Sequence, residues 1–112
     1  MAAQSSATGT IDEANDAVTV DATSADQFAV SINSTTASLN VSWEATWDGT
    51  NWDAITAFRR DATGSTEATS QTIGNSQSWV FAGSTYGALK VRARCSSYTS
   101  GSCTVTVVAT SS

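Results

Sequence analysis

Hydrophobic and polar residues alternate with period two along most of the chain from residue 17 onward. Such alternation is typical of strands that bury one face and expose the other. No run shows a helical period longer than one turn, so the pattern favours strands alone. The alternating runs cover residues 18–20, 28–32, 37–43, 52–58, 66–73, 78–82, 89–95 and 103–107.

Turn residues separate these runs, and the clearest turn is Asp48-Gly49. Glycine supplies the positive φ of a tight hairpin, so the strand before Asp48 should pair antiparallel with the strand that begins at Asn51. About eight short strands with frequent turns are typical of sandwiches. The sequence therefore predicts an all-β fold, an antiparallel and jelly-roll-like β-sandwich of about eight strands, over residues 17–112.

Residues 1–16 do not share this pattern. They mix small polar residues with three carboxylates and contain one large aliphatic residue, Ile11. A segment with so little apolar surface cannot offset an ordering entropy of roughly 1 to 2 kcal/mol per residue. We therefore expect an N-terminal arm over residues 1–16 that becomes ordered on assembly, with Ile11 at an interface with a neighbour.

Two cysteines lie in the last two alternating runs, on either side of the Tyr-Thr-Ser-Gly sequence at 98–101. If that sequence is a turn, a hairpin register that sets Cys95 opposite Cys103 also sets Ala93 opposite Val105. This register would allow a cross-strand disulfide. Synthesis in a cytoplasm instead favours two reduced thiols in the core, and the sequence leaves both states open.

Three tryptophans surround the Asp48-Gly49 turn. Trp43 and Trp52 are in phase with neighbouring apolar residues and are predicted to be in the core, whereas Trp47 lies at the turn itself. An exposed tryptophan at a loop tip suits a protein interface first and the flat face of a sugar second. The nearby carboxylates are interpreted as solvated turn residues, and they are Glu44, Asp48, Asp53 and Asp61.

The formal net charge is −5, and it is unevenly distributed, because residues 1–57 carry only acidic charges while residues 58–112 have a net charge of +3. Lys90, Arg92 and Arg94 form a basic stripe on the polar side of one strand. It is either an ordinary solvated face or a seam against the acidic half of a neighbouring subunit. The acidic balance argues against a nucleic acid as partner.

The chain contains no histidine, which removes the commonest general base, the usual zinc ligand and any Ser-His-Asp triad. We therefore expect no enzymatic activity, no catalytic residue, and no metal or cofactor. The sequence has no apolar stretch long enough for a membrane span and no signal-peptide pattern at its beginning. We accordingly expect synthesis in the cytoplasm of a bacterial host and no membrane association.

Two motifs resemble a small β-sandwich module of tailed-bacteriophage structural proteins, and the resemblance covers about residues 17–110. The first motif is the hairpin at 41–52, Val-x-Trp-Glu-x-Thr-x-Asp-Gly-x-x-Trp, and the second joins Leu-x-Val-Arg-Ala at 89–93 to Tyr-Thr-Ser-Gly-Ser-Cys-Thr-Val-Thr-Val at 98–107. The chain departs from the module at Trp47, which replaces a small polar residue, at Thr46, which replaces serine, and at its two cysteines.

This resemblance implies a non-enzymatic protein of the virion, in the first place a capsid decoration or head-fibre subunit. The alternatives are a tail or baseplate accessory protein and a carbohydrate-binding or host-attachment module. The implied partners are further copies of the chain, with a trimer favoured, the major capsid protein or other virion proteins, and surface glycans for an attachment module.

Overall fold

The computed structural model describes residues 4–59 and 67–111, and these residues form antiparallel strands without any helix. No helix capable of spanning a membrane is therefore present in the described residues. The structure confirms the predicted all-β, antiparallel fold. The strands are β1 (Gln4–Ile11), β2 (Ala17–Asp21), β3 (Gln27–Thr46), β4 (Trp52–Ala54), β5 (Phe58–Arg59), β6 (Ser70–Ile73), β7 (Ser78–Ser84) and β8 (Lys90–Thr110).

Two long strands, β3 and β8, organise the fold. They pair antiparallel over their whole length, and bulges interrupt the register between Ser34 and Val41 of β3. A bulge bends a strand and increases its local twist. The bulges therefore divide the ribbon of β3 and β8 into two halves that contribute to different layers of the molecule.

Each half of the ribbon has its own neighbours. One half is flanked by β1 and β7, with β5 beyond β7, and the other is flanked by β2 on one side and by β4 and β6 on the other. The layers face each other, because the rings of Trp43 on β3 and Phe81 on β7 lie 4.7 Å apart. The single sheet is thus folded over itself as an open sandwich.

The core lies between the two layers and follows the alternation that the sequence shows. Along β3 and β8 every second side chain is buried, apart from the positions at the bulges and Thr46, which is buried out of phase at the end of β3. Two of the buried residues that the structure describes are polar, and each makes a hydrogen bond: the hydroxyl of Thr85 donates to the carbonyl oxygen of Ala25 (2.8 Å), and the hydroxyl of Thr46 donates to a carboxylate oxygen of Asp48 (3.1 Å). The largest fully buried side chains are Trp43, Phe28, Ile11, Ile32, Ile73 and Val30.

The predicted N-terminal arm is wrong for the described part of residues 1–16. β1 pairs with β8 in an unbroken register that ends with Ile11 opposite Cys103. Ile11 is fully buried, so it belongs to the core and not to an interface. Backbone hydrogen bonds to β8 hold this segment in place. Such bonds do not depend on the side chains, so the sequence shows little sign of them. Residues 1–3 lie outside the described residues.

The predicted hairpin at 89–107 is also wrong, because residues 90–110 form one strand. Gly101, with a φ of +77°, lies at the bulge opposite Ala37, where a Cβ would come within 2.2 Å of the Thr36 carbonyl oxygen. The register that set the two cysteines opposite each other therefore does not exist. Cys95 lies opposite Val41 and Cys103 opposite Ser34, both on β3.

Cys95 and Cys103 are buried free thiols in the structure. Burial raises the pKa of Cys95, and burial together with the neighbouring Cys95 raises the pKa of Cys103 to about 11. Since the thiolate is the reactive form, we expect a thiol-specific reagent at neutral pH to label the folded protein at least about a hundredfold more slowly than the unfolded protein. Rapid labelling of the native protein would contradict the burial of both thiols.

Candidate interaction surface

Three residues with large, exposed apolar side chains lie at the end of the ribbon where β3 finishes and β8 begins. Trp47, Tyr86 and Leu89 are 43%, 58% and 41% exposed, respectively, and we call them the aromatic end surface. The indole N–H of Trp47 donates to the carbonyl oxygen of Tyr86 (2.9 Å), and the backbone N–H of Leu89 donates to the carbonyl oxygen of Thr46 (2.8 Å). These bonds bring the three residues together.

A tight turn presents Tyr86 to solvent. The Ala88 N–H donates to the Thr85 carbonyl (3.0 Å), and the two residues between them, Tyr86 and Gly87, both have positive φ, as in a type I′ turn. The left-handed conformation costs about 1 to 2 kcal/mol at a non-glycine residue. Thr85, which is buried and bonded to Ala25, holds the turn against the core. The aromatic ring is thus displayed from a firmly attached loop.

The hairpin that carries Trp47 forms at the predicted turn, with Thr46 opposite Trp52. Asp48 closes it, because one carboxylate oxygen accepts the backbone N–H groups of Thr50 and Asn51, both at 2.8 Å. The hydrogen bonds from Asn51 and Thr50 hold the pKa of Asp48 far below its usual value. The Asp48 carboxylate is therefore committed to the turn, while Trp47 projects from it.

Two residues of the basic stripe form ion pairs within the chain. Glu44 lies opposite Arg92 and receives the Nε–H groups of Arg92 (2.8 Å) and Arg94 (2.9 Å) on one carboxylate oxygen. Arg94 also donates from Nη2 to the other oxygen (3.1 Å). These ion pairs lie within one chain, because β3 and β8 bring its acidic and basic halves together. A seam between the stripe and a neighbouring subunit stays a prediction. Lys90 is exposed and lies opposite Asp21 of β2.

Both Trp43 and Trp52 were predicted to be in the core, and the structure confirms this for Trp43 but not for Trp52. Trp43 is fully buried, but Trp52 is only partly buried and lies under the guanidinium of Arg92, 3.9 Å from its ring centroid. Trp52 pairs with Thr46, which has the same parity as the outward-facing Glu44. Its ring therefore reaches the outer face, where it makes a cation–π contact with the arginine instead of filling the core.

The Glu44 cluster predicts a contribution to stability that acid removes. Burial raises the pKa of Glu44, but the hydrogen bonds from Arg94 and Arg92 outweigh this effect and hold the pKa below its ordinary value of 4.5. A carboxyl with a lowered folded-state pKa stabilises the fold above its unfolded-state pKa, and this contribution is lost as the pH falls through the folded-state pKa.

We therefore expect Glu44→Gln to destabilise the protein at neutral pH and to lose less of its remaining stability below about pH 4.5 than the wild type does. Urea unfolding across a pH series measures this difference. Asp53→Asn, which removes an exposed carboxyl from β4, is the matched control. If the stability of Glu44→Gln fell as steeply with decreasing pH as that of the wild type, Glu44 would not be the source of this acid-sensitive stability.

A second group of carboxylates follows β1, where Asp12, Glu13 and Asp16 bring oxygens within 4.8 Å of one another. We call this group the acidic loop. The hydrogen bond with Asp16 raises the pKa of Asp12, and hydrogen bonds from Asp12 lower the pKa of Asp16. The acidic loop concentrates negative charge at one end of β1. Asp61, a carboxylate noted from the sequence, lies outside the described residues.

No protein-family model and no curated protein sequence matches this chain. Among solved structures, the SPBc2 prophage-derived protein YomS is similar, with a TM-score of 0.79, 16% identity, and coverage of 99% of this chain and 96% of YomS. The PBSX exported protein XepA has a TM-score of 0.70 and 18% identity over 97% of this chain, which spans 39% of XepA. These similarities show a common fold.

Proposed function

We propose that this protein is a non-enzymatic structural component of a tailed-phage or prophage particle, in the first place a capsid decoration or head-fibre subunit. The observation that carries the proposal is the similarity of the whole fold, over 99% of the chain, to a prophage-derived protein. The exported prophage protein XepA, which contains a region of the same fold, adds support. A location in the virion follows from the same proposal.

The aromatic end surface is the contact that we assign to this role. Tryptophan and tyrosine are enriched among the residues that carry most of the binding energy of protein interfaces. The indole of Trp47 is held by its hydrogen bond to the Tyr86 backbone, so this side chain has little freedom left to lose on binding. The anchored turn fixes the backbone that carries Tyr86. We propose that a neighbouring virion protein covers these side chains.

The carboxylates near the hairpin support a structural role over a catalytic one. Glu44 is held by two arginines, and Asp48 is held by the N–H groups of its own turn. A pair of catalytic carboxylates would instead flank a substrate cleft, with one pKa raised. In this chain the pKa values of Glu44 and Asp48 are both lowered.

We expect Trp47→Ala to weaken binding to the particle by at least about tenfold, because truncation of an interface hot spot costs about 2 kcal/mol or more. The free energy of unfolding should fall by only about 1 kcal/mol, the typical net value of one hydrogen bond. The purified variant is added to particles that lack the protein, and bound copies are counted by quantitative mass spectrometry.

Val80→Ala is the matched control for this experiment, since Val80 is 40% exposed but lies on β7, away from the aromatic end surface. Val80→Ala should bind the particle like the wild type. Equal binding by Trp47→Ala and the wild type would assign the particle contact to another surface.

A second candidate function is attachment to a surface glycan, and the adjacent exposed rings of Trp47 and Tyr86 favour it. Aromatic faces pack against the apolar faces of sugar rings. Under this alternative, Trp47→Ala would abolish binding to host-cell glycans, whereas the variant protein would still be incorporated into particles as the wild type is.

A further inference from the structure

No strand that the structure describes pairs with the outer edge of β1. Within the described residues β1 pairs only with β8, and it ends the strand order of its layer. The strand has eight residues, contains no charged residue and no proline, and pairs with β8 without a bulge. Natural proteins normally block such an edge with a charge, a proline, a bulge or a cover, since an open edge pairs readily with another strand.

The other outer strands that the structure describes are shorter, and most carry a charge. β2 ends in Asp21, β4 has three residues with Asp53 at its centre, and β5 has two residues, one of them Arg59. β6 is uncharged but has only four residues. Among the described strands, β1 therefore offers the longest uncharged edge.

We propose that β1 is the surface through which two copies of this chain associate, by antiparallel pairing of β1 with β1 of a second copy across a twofold axis. In an antiparallel ladder, alternate residues direct both backbone groups to the same side. In β1, every second residue bonds to β8 through its backbone N–H and C=O groups. The residues that alternate with these direct their backbone N–H and C=O groups toward the outer edge. Pairing two such edges would form about six to eight intermolecular hydrogen bonds. The inference does not rest on the proposed function or on the aromatic end surface.

Symmetry fixes the register closely. The same alternate residues face outward in both copies, and hydrogen bonding requires outward-facing residues to lie opposite each other. The twofold axis must therefore pass beside a residue and not between two residues. Near-complete overlap of the two strands places that residue at Ala7 or Thr8, the central positions of β1.

The distribution of charge favours a second copy in antiparallel orientation. The acidic loop directly follows Ile11, so parallel pairing would place two such loops side by side. Antiparallel pairing separates the two copies of Asp12 by about eight residues of strand, or roughly 27 Å. This separation exceeds the Debye length of about 8 Å at physiological ionic strength. Each copy thus presents an uncharged edge to another uncharged edge.

Sedimentation of the full chain over a concentration series tests the association. We expect a reversible dimer with twice the monomer mass of 11.5 kDa. Thr8→Lys should raise the dissociation constant at least about tenfold, because it brings two like charges together near the axis. Thr104→Lys is the matched control, since Thr104 is also exposed but lies on β8, one strand in from the edge. Circular dichroism confirms that both variants remain folded.

Cross-linking tests the register. Single cysteines are placed at the exposed positions Ser6, Thr8 and Thr10 of the full chain, whose native thiols are buried. With the axis at Thr8, the Thr8→Cys variant forms disulfide dimers with itself, and Ser6→Cys joins Thr10→Cys. With the axis at Ala7, Ser6→Cys joins Thr8→Cys.

Three results would overturn the proposal. The first is a monomer at every concentration up to the millimolar range. The second is an oligomer, such as a trimer, that is as stable in Thr8→Lys as in Thr104→Lys. The third is efficient cross-linking of every position to itself, since this pattern identifies parallel, in-register strands.

Discussion

Replacement of Trp43 by alanine is expected to lower the free energy of unfolding by about 3 to 5 kcal/mol, the usual cost of truncating a large aromatic residue in a core. Trp43 is fully buried, and its ring packs at 41° against that of Phe81 in the opposite layer, 4.7 Å between centroids. Its removal leaves a cavity between the layers. Guanidinium unfolding followed by circular dichroism measures the loss.

Trp43→Phe and Trp47→Ala are the controls for this prediction. The indole N–H of Trp43 is buried and has no hydrogen-bond partner among the described residues, and such a group costs about 1 to 3 kcal/mol. Trp43→Phe removes this group and keeps an aromatic ring, so it should cost less than half as much as Trp43→Ala. If Trp43→Ala were no more destabilising than Trp47→Ala, the two layers would not meet at Trp43.

Replacement of Gly101 by alanine is expected to cost at least about 2 kcal/mol. Its φ of +77° is strained for any residue with a Cβ, and the added atom would lie 2.2 Å from the carbonyl oxygen of Thr36. The backbone of β3 would have to move away from β8, and forced shifts of this kind cost about 1 to 3 kcal/mol in addition. Thermal unfolding of the variant measures the effect.

Gly87→Ala separates the two contributions to this cost. Gly87 has nearly the same φ, +76°, but apart from its two chain neighbours no described residue has an atom within 4 Å of an added Cβ. Alanine at this position should therefore cost only about 1 kcal/mol. Equal costs for Gly87→Ala and Gly101→Ala would show that the close approach of β3 and β8 at the bulge is absent.

The strands that line the core could be predicted from the sequence because burial alternates locally. Phe28, Val30 and Ile32 are all buried on β3, and Val105 and Val107 are buried on β8. Strand parity needs only neighbouring residues, so it does not depend on the partner strand. For the same reason, the burial of Trp43 was correctly predicted.

β1 could not be predicted, because its position depends on a distant partner. Of the residues from Ser5 to Ile11, only Ile11 is fully buried, so the segment has little periodic signal. Its hydrogen bonds go to β8, about a hundred residues later in the chain. Local composition therefore predicts an arm, while the ladder produces a strand.

The hairpin predicted around Gly101 failed for a related reason. A glycine with positive φ suits a tight turn and also suits a bulge. Only the strand opposite decides between them, and here β3 continues past Gly101 and keeps β8 extended. The pairing of Glu44 with the two arginines was missed because it follows from the same long register.

The candidate site was predicted in part. The Asp48-Gly49 turn indicated the exposure of Trp47, which the structure confirms. Tyr86 and Leu89 were missed, although Tyr86-Gly87 between two alternating runs was a turn signal that could have indicated an exposed ring. Their position beside Trp47 depends on the hydrogen bond from the indole to Tyr86, which no sequence pattern encodes.

Cryo-electron microscopy of purified particles tests the central claim, that the protein is a structural component of a phage particle, most directly. The account predicts that the protein is present at a regular copy number and that the aromatic end surface of Trp47, Tyr86 and Leu89 packs against a neighbouring virion protein. Its position would also distinguish the capsid from the tail or baseplate. Absence of the protein from intact particles, shown by mass spectrometry of the same sample, would contradict the claim.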